Sequence, residues 1–207
     1  IKAPLEEIKM SAFNGCSSLQ EIILPETLIE IGSNAFSATG LKKIVLTANI
    51  RTIENGAFSK NENFIIFLNI DYSIKDSITF GENWNGNNPV IWNGSGDIIR
   101  DNNFVYGKTN NNQLIIAGYE GNEESLIIGR TVKVGNKEYP IIGISNSAFQ
   151  NSHNLSELYI PNNIIQVGEY ICLPGKDITI NCQASSKPLT WSDMWQITNT
   201  VNWNVSL

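Results

Sequence analysis

The side chains that could support nucleophilic catalysis are few and scattered along this sequence. His153 is the single histidine, and it lies in a short polar stretch that follows Ala148 and Phe149. A serine or cysteine nucleophile normally needs a neighbouring general base, most often a histidine. The sequence contains no nucleophile elbow, phosphate-binding loop or dinucleotide fingerprint. We therefore predict that the protein is not an enzyme and uses no cofactor.

Carboxylates are the second group that could do chemistry, because a pair of them can act as general acid and base. They fall at variable polar positions, where a solvated surface role is expected, and a carboxylate-pair glycosidase stays an alternative. Asp97, Asp101 and Asn102 could offer oxygen ligands to calcium, but no loop follows a calcium-binding pattern. No metal site is predicted. The acidic residues that crowd the start of the chain are Glu6, Glu7, Glu21, Glu26 and Glu30.

Three cysteines, Cys16, Cys172 and Cys182, could bind a metal or form a disulfide. No two of them have Cys-x-x-Cys spacing, so a zinc site is not expected. Each occupies a position that recurs along the chain with other residue types, which favours buried free thiols. A bridge between Cys172 and Cys182 is the alternative, and one cysteine would then stay unpaired.

Composition and charge narrow the class of protein. The chain has 207 residues, of which 42% are hydrophobic and 16% charged, as expected for a folded protein rather than a disordered one. The formal net charge of -6 argues against a nucleic-acid-binding surface. No apolar run approaches the roughly 18 residues of a membrane span. We therefore expect neither nucleic-acid binding nor membrane insertion in this segment.

One phrase, Ile-x-x-x-Ala-Phe, recurs along the chain. It occurs at residues 8–13, 31–36, 53–58 and 144–149, with a degenerate copy at 167–172. Short apolar stretches with the alternation of a strand follow several copies, at residues 19–25, 41–47 and 155–161, and each is predicted to be a strand. The Ala-Phe pair is expected on a tight turn or one-turn helix. Ordering each residue costs about 1–2 kcal/mol, which one small repeat cannot offset by burial. Stacked copies share buried faces and strand pairing, so the pattern predicts a solenoid.

The full pattern resembles the BspA-like leucine-rich repeat. Residues 8–32 follow it almost position by position, including Cys16, Pro25 and Gly32, and a later repeat keeps Pro161. The resemblance implies a leucine-rich-repeat solenoid that is β-rich with short helical turns and has a parallel sheet on one face. It also implies an extracellular location, on a bacterial cell surface or secreted. The role it suggests is adhesion to host proteins or to neighbouring cells.

A second, longer repeat resembles the Trp-rich segment that closes BspA-like blocks. Residues 80–93 align without gaps with residues 191–204, which matches Trp84 with Trp195 and Trp92 with Trp203. Their repetition at matched positions predicts that the rings pack under the last coil and cover its apolar end. Because an exposed indole can stack on a sugar ring, carbohydrate binding is an alternative.

The closing elements divide the chain into two blocks. We expect the first at residues 1–96 and the second at 97–207, which opens with two strands of a hairpin and then continues with repeats. The Gly- and Ser-containing residues 93–97 are the predicted linker. The two blocks together are expected to contain about five to six coils. The alternative is one continuous solenoid from which the first closing element loops out. Ile1 aligns with the last apolar position of a strand, so the chain is expected to begin within a repeat.

The outer side of the parallel sheet is the predicted binding face. Extended solenoid faces bind proteins or peptides, and an apolar stripe on such a face can mark a partner site. Isolated exposed apolar residues are ordinary, however, and indicate nothing by themselves. We predict an extracellular or host protein as the partner; the alternative is a passive structural spacer. The residues predicted to form this face are Glu21, Ile23, Lys43, Val45, Glu157, Tyr159 and Thr179.

Overall fold

A computed structural model describes residues 4–196 and 199–206 of the chain. These residues fall into two compact units, Ile1–Asp97 and Ile98–Leu207. In each unit, strands of successive coils pair in parallel, and turns that carry the repeated phrases join them. The expected position of Ile1 within a repeat concerns a residue outside the described part of the chain.

The first unit has parallel strands on two sides of its coils. On one side, residues 43–46 and the corresponding residues of the next two coils form a three-stranded sheet. On the other side, strands of two residues each form a four-stranded sheet. The three strands are β3 (Lys43–Leu46), β5 (Ile65–Leu68) and β7 (Val90–Trp92), in that order. The four short strands are, in order, β1 (Glu7–Ile8), β2 (Glu30–Ile31), β4 (Thr52–Ile53) and β6 (Thr79–Phe80). A 3-10 helix, Tyr72–Ser77, is the one helix among the described residues.

The second unit opens with the predicted hairpin and continues as parallel coils. The hairpin strands β9 (Phe104–Thr109) and β10 (Leu114–Tyr119) pair antiparallel, and β10 then pairs in parallel with a later strand, β13. The sheet that contains them has the order β12-β13-β10-β9-β8, with β15 also paired to β13. Its other strands are β8 (Gly94–Asp101), β12 (Thr131–Val134), β13 (Lys137–Ile144) and β15 (Gln166–Val167). The first four residues of β8 belong to the first unit, which ends at Asp97. A parallel sheet consists, in order, of β11 (Ser125–Ile127), β14 (Glu157–Ile160), β16 (Thr179–Cys182) and β17 (Thr200–Asn202).

Phenylalanines of the repeated phrase form a ladder inside the first unit. The ring centroids of Phe13 and Phe36 are 5.1 Å apart and those of Phe36 and Phe58 are 5.6 Å apart, with nearly parallel planes. The small, fully buried side chains of Ala35 and Ala57 let the backbones approach. The N–H of Phe13 donates to the Ala35 carbonyl and that of Phe36 to the Ala57 carbonyl, both at 2.8 Å. The repeated residue types therefore set both the core and the coil-to-coil bonds.

Glycine follows a short strand where two coils come closest. The N–H of Gly32 donates to the Ile8 carbonyl at 2.8 Å, and a Cβ at Gly32 would lie 2.6 Å from the backbone nitrogen of Met10. At Gly168 a Cβ would similarly collide with the backbone of Asn146. Glycine is thus required at these two positions by the approach of the neighbouring coil, whereas Glu54 takes the corresponding place in the next coil and its N–H donates to the Ile31 carbonyl at 2.9 Å.

The predicted solenoid is confirmed, with two local differences. It has about eight turns rather than about five to six, because β10, β13 and the closing elements also supply rungs of parallel sheet. Residues 19–25, which the alternation predicted to be a strand, form none.

Replacing Phe36 by alanine should lower the free energy of unfolding of the first unit by about 3–5 kcal/mol. The ring is fully buried and stacks on both neighbours in the ladder. Hydrogen exchange of the β3 and β4 amides would measure the change. Ile23→Ala is the matched control, because that side chain is 88% exposed, and its effect should stay below about 0.5 kcal/mol. Equal effects of the two substitutions would contradict the ladder as a source of stability.

Candidate protein-binding surface

The outer side of the β11-β14-β16 sheet is open around β11 and β14 in the second unit, whereas Asn181 of β16, the neighbour of Tyr159, is only 7% exposed. Ser125, Glu157 and Thr179 are paired across the strands in one row, and Ile127 and Tyr159 are neighbours in the next. Because side chains alternate along a strand, the residues between these rows point into the core. Ile127 is 65% exposed, and the side chains of Glu157, Tyr159 and Thr179 are half-buried. We call these five residues the second-unit face.

The carboxylate of Glu157 is the charged group at the centre of the second-unit face. Its Oε2 accepts hydrogen bonds from the hydroxyls of Tyr159, at 3.3 Å, and Ser125, at 3.4 Å. Both are long for O–H···O bonds. No ion pair to Glu157 is found in the described part of the chain. The charge of Glu157, followed by burial, raises the pKa of Tyr159, so the phenol keeps its proton.

The corresponding face of the first unit is covered. Phe67 and Ile91 are neighbours across β5 and β7, on the side of the sheet opposite to the core residue Ile66. Outward-facing side chains are normally exposed, yet both of these are fully buried. A nearby segment of chain must therefore lie over the first-unit face.

Residues 94–96 lie over this face, and we call them the strap. A Cβ at Gly94 would be 2.7 Å from a ring carbon of Phe67, and a Cβ at Gly96 would be 2.8 Å from a methyl group of Val45. The ammonium of Lys43 donates to the Gly96 carbonyl at 2.7 Å. The predicted linker at residues 93–97 lies at the boundary between the two units, but it is not a loose connection, because Gly94 begins β8 and the small residues permit close packing on the sheet.

The predicted face residues fall into three groups in the structure. Glu157, Tyr159 and Thr179 come together as expected from their strands. Lys43 and Val45 contact the strap. Glu21 and Ile23 are exposed but lie outside any strand, so no ladder aligns them with the others. Which of these residues bind a partner stays a prediction.

Sequence reasoning missed two parts of these surfaces. Ser125 and Ile127 were not assigned to the face, because β11 does not follow one of the repeated phrases. The strap was interpreted as a linker, although glycines spaced two apart after a strand can also indicate a close approach of backbone to side chains. Both parts depend on contacts between segments distant in the sequence.

The two closing elements form matching aromatic clusters. Phe80 stacks on Trp84 with centroids 4.6 Å apart, and Trp191 meets Trp195 edge-on at 5.0 Å. The rings of Trp191 and Trp195 are each only 3% exposed, so these two offer no open face to a sugar. Trp84, Trp92 and Trp203 pack against the cores but are only half-buried. The residues of the clusters are Phe80, Trp84 and Trp92 in the first unit and Trp191, Trp195 and Trp203 in the second.

The three cysteines are free, so the alternative disulfide between Cys172 and Cys182 is not formed. These two thiols are buried as predicted, and burial raises the pKa of each to about 12. The expectation of a buried thiol is wrong for Cys16, which is exposed. Cys16 lies in the first described coil, so among the described residues no earlier coil packs over it.

The candidate chemical groups do not assemble into a reactive site. His153 is exposed, and its backbone carbonyl accepts a hydrogen bond from the ammonium of Lys176. Asp101 accepts a hydrogen bond from the neighbouring Asn102. Within residues 4–196 and 199–206, no group of three or more His, Cys, Asp or Glu side chains could hold a metal ion. The same residues include no helix with the length and apolarity needed to cross a membrane.

Comparison with known proteins relates the chain to bacterial leucine-rich repeats. The family model described as "BspA type Leucine rich repeat region" matches in six copies, over residues 1–106 and 133–185. No curated protein matches the chain.

Three solved structures are similar to parts of the chain. A leucine-rich repeat protein from Bacteroides capillosus is 16% identical, with a TM-score of 0.35 over 51% of this chain and 98% of its own. A leucine rich cell surface protein from Faecalibacterium prausnitzii is 13% identical, with a TM-score of 0.39 over 89% of this chain and 59% of its own. A leucine-rich repeat protein from Eubacterium ventriosum is 16% identical, with a TM-score of 0.35 over 88% and 59%. The chain thus spans 59% of the length of the last two.

A maleimide reagent at pH 7.5 should modify only Cys16 in the native protein. The thiolate is the reactive form, and burial keeps Cys172 and Cys182 both protonated and inaccessible. Intact mass spectrometry should show one adduct per native chain and three after denaturation. Rapid labelling of a second thiol in the native protein would contradict the packing of the last coils.

Gly96→Ala should displace the strap and uncover Phe67. Gly96 has a φ of +85°, which disfavours any other residue, and the added Cβ would meet Val45. We expect increased fluorescence of an apolar dye and faster hydrogen exchange in β5. Gly135→Ala is the matched control, because Gly135 also has a positive φ of 60° but no atom near the new Cβ. If both variants bind dye equally, the strap is not what covers the face.

Proposed function

Because the chain belongs to the BspA-type leucine-rich repeat family, we propose that it is the protein-binding module of a bacterial cell-surface or secreted protein. The module adheres to a protein of a host or of a neighbouring cell. Its family and fold are generally those of non-enzymatic scaffolds, and such repeats often take part in surface interactions. The single observation that supports binding most directly is the open second-unit face.

The second-unit face has the composition of a small protein-binding patch. Ile127 and Tyr159 supply adjacent apolar surface, and Ser125, Glu157 and Thr179 form a row of polar groups along one side of it. An apolar centre with a polar rim is the usual anatomy of an interface, and tyrosine is enriched among residues that contribute most to affinity. The paired strands hold these side chains in fixed rows, so little conformational entropy is lost when a partner binds.

The competing function is that of a passive spacer that holds another domain away from the cell. A spacer needs the stacked coils and closing elements but no ligand, so its surface residues are interchangeable. A module that binds a partner instead depends on particular side chains of the second-unit face. Substitution at that face therefore separates the two functions.

The purified chain should bind at least one member of a panel of immobilised extracellular matrix proteins, and the double variant Ile127→Asp, Tyr159→Asp should weaken that binding at least about tenfold. Leu189→Asp is the matched control, because Leu189 is fully exposed in the same unit and lies outside the face. Unchanged thermal unfolding would show that the variants are folded. Binding that survives the double variant would place the site elsewhere, and an absence of binding across the panel would favour the spacer.

A further inference from the structure

The sheet faces of the two units can be compared position by position. Both sheets end at a closing element, and the chain leaves each element through a left-handed asparagine, Asn93 with a φ of 50° and Asn204 with a φ of 60°. The N–H of Asn93 donates to the Ile70 carbonyl at 2.8 Å, and that of Asn204 to the Ala184 carbonyl at 2.9 Å. The closing elements therefore match in local geometry as they do in sequence.

Aligning the two closing elements also aligns the strands that precede them, β3 and β5 in the first unit with β14 and β16 in the second. Because β3 precedes β5 as β14 precedes β16, Lys43 corresponds to Glu157 and Val45 to Tyr159. By the same register, Phe67 corresponds to Asn181. The second unit thus has a carboxylate where the first has an ammonium, and an aromatic ring where the first has an aliphatic side chain.

The strap shows how a peptide segment occupies such a face. It packs on Val45 and Phe67 and satisfies the ammonium of Lys43 with a backbone carbonyl. The cation of the sheet thus meets an acceptor provided by the peptide.

Where the first-unit face has an ammonium that needs an acceptor, the second-unit face has the carboxylate of Glu157, which needs a hydrogen-bond donor from its occupant. Glu157 accepts only long bonds from two hydroxyls, and no cation pairs with it among the described residues. A carboxylate gains most from a charge-assisted hydrogen bond with a lysine or arginine. The adjacent ring of Tyr159 adds a surface over which a cation is also attracted.

We propose that the second-unit face binds a peptide segment that carries lysine or arginine. The cationic side chain pairs with Glu157, while the flanking backbone crosses Tyr159 as the strap crosses Val45. Arginine is the better ligand, because its planar guanidinium can both fork onto a carboxylate and stack on an aromatic ring. This inference rests on the proposed function, since it specifies the partner of the same face.

A random peptide library displayed on phage, selected against the immobilised full chain, tests the proposal because it samples basic, acidic and neutral peptides without bias. Enriched sequences should contain lysine or arginine in excess over the starting library. Resynthesised peptides with blocked termini should bind at least about tenfold more weakly to Glu157→Gln. Glu169→Gln is the matched control, because it removes an exposed carboxylate of the same unit and should leave affinity unchanged. Glu157→Lys should shift the selection toward acidic peptides.

The outcomes separate this inference from the proposed function. The selection could instead enrich peptides that lack lysine and arginine and that no longer bind the Ile127→Asp, Tyr159→Asp variant. That result would overturn the inference but would still identify the face as a protein-binding site. Basic peptides that bind Glu157→Gln as well as the unmodified chain would also overturn it. An unenriched library would overturn it as well, and the matrix-protein panel would then test the proposed function independently.

Discussion

The close approach of one coil to the next is the constraint on which the rest of this structure depends. At Gly32 the backbone of the adjacent coil leaves no space for a side chain. The buried alanine beside each phenylalanine, such as Ala35 or Ala57, is small enough to let the coils approach in the same way. At that separation the phenylalanine rings stack and the backbone groups bond directly. Each coil is therefore stable only against its neighbours, as in other repeat proteins.

The closing elements follow from the same constraint. A last coil would expose its stacked ring and the edge of its sheet, which favours association with other chains. In the first unit Phe80 continues the short-strand sheet by pairing with Ile53, and in the second Trp191 bridges to Val167. The aromatic clusters then fill the volume that the next ring of the ladder would occupy. Tryptophan at these positions thus terminates a stack, and Trp191 and Trp195 are buried in doing so.

The repeat pattern was sufficient to predict the solenoid, its phenylalanine interior and the packing role of the tryptophans, because these depend on residue types that recur at fixed spacing. The same pattern could not predict that the strap buries Phe67, because that contact joins β8 to β5 and no periodicity encodes it. It also assigned a strand to residues 19–25 from alternation alone, although a strand needs a partner as well as a pattern. For the candidate site, it identified Glu157 and Tyr159 but missed Ile127, since β11 is a rung without the repeated phrase.

The recurrence of the same coil-to-coil bonds along the stack has an evolutionary consequence. Since the ring ladder and the strand bonds join each coil to the coils beside it, a gene duplication that inserts one whole repeat reproduces those bonds, and only a segment that crosses several coils, such as the strap, must adjust. Length can therefore change in whole-coil steps, until a closing element ends the stack. The exposed positions between the buried ones do not have to match the neighbouring coil. A single substitution there can reverse the surface charge, as the corresponding residues Lys43 and Glu157 of the two units illustrate.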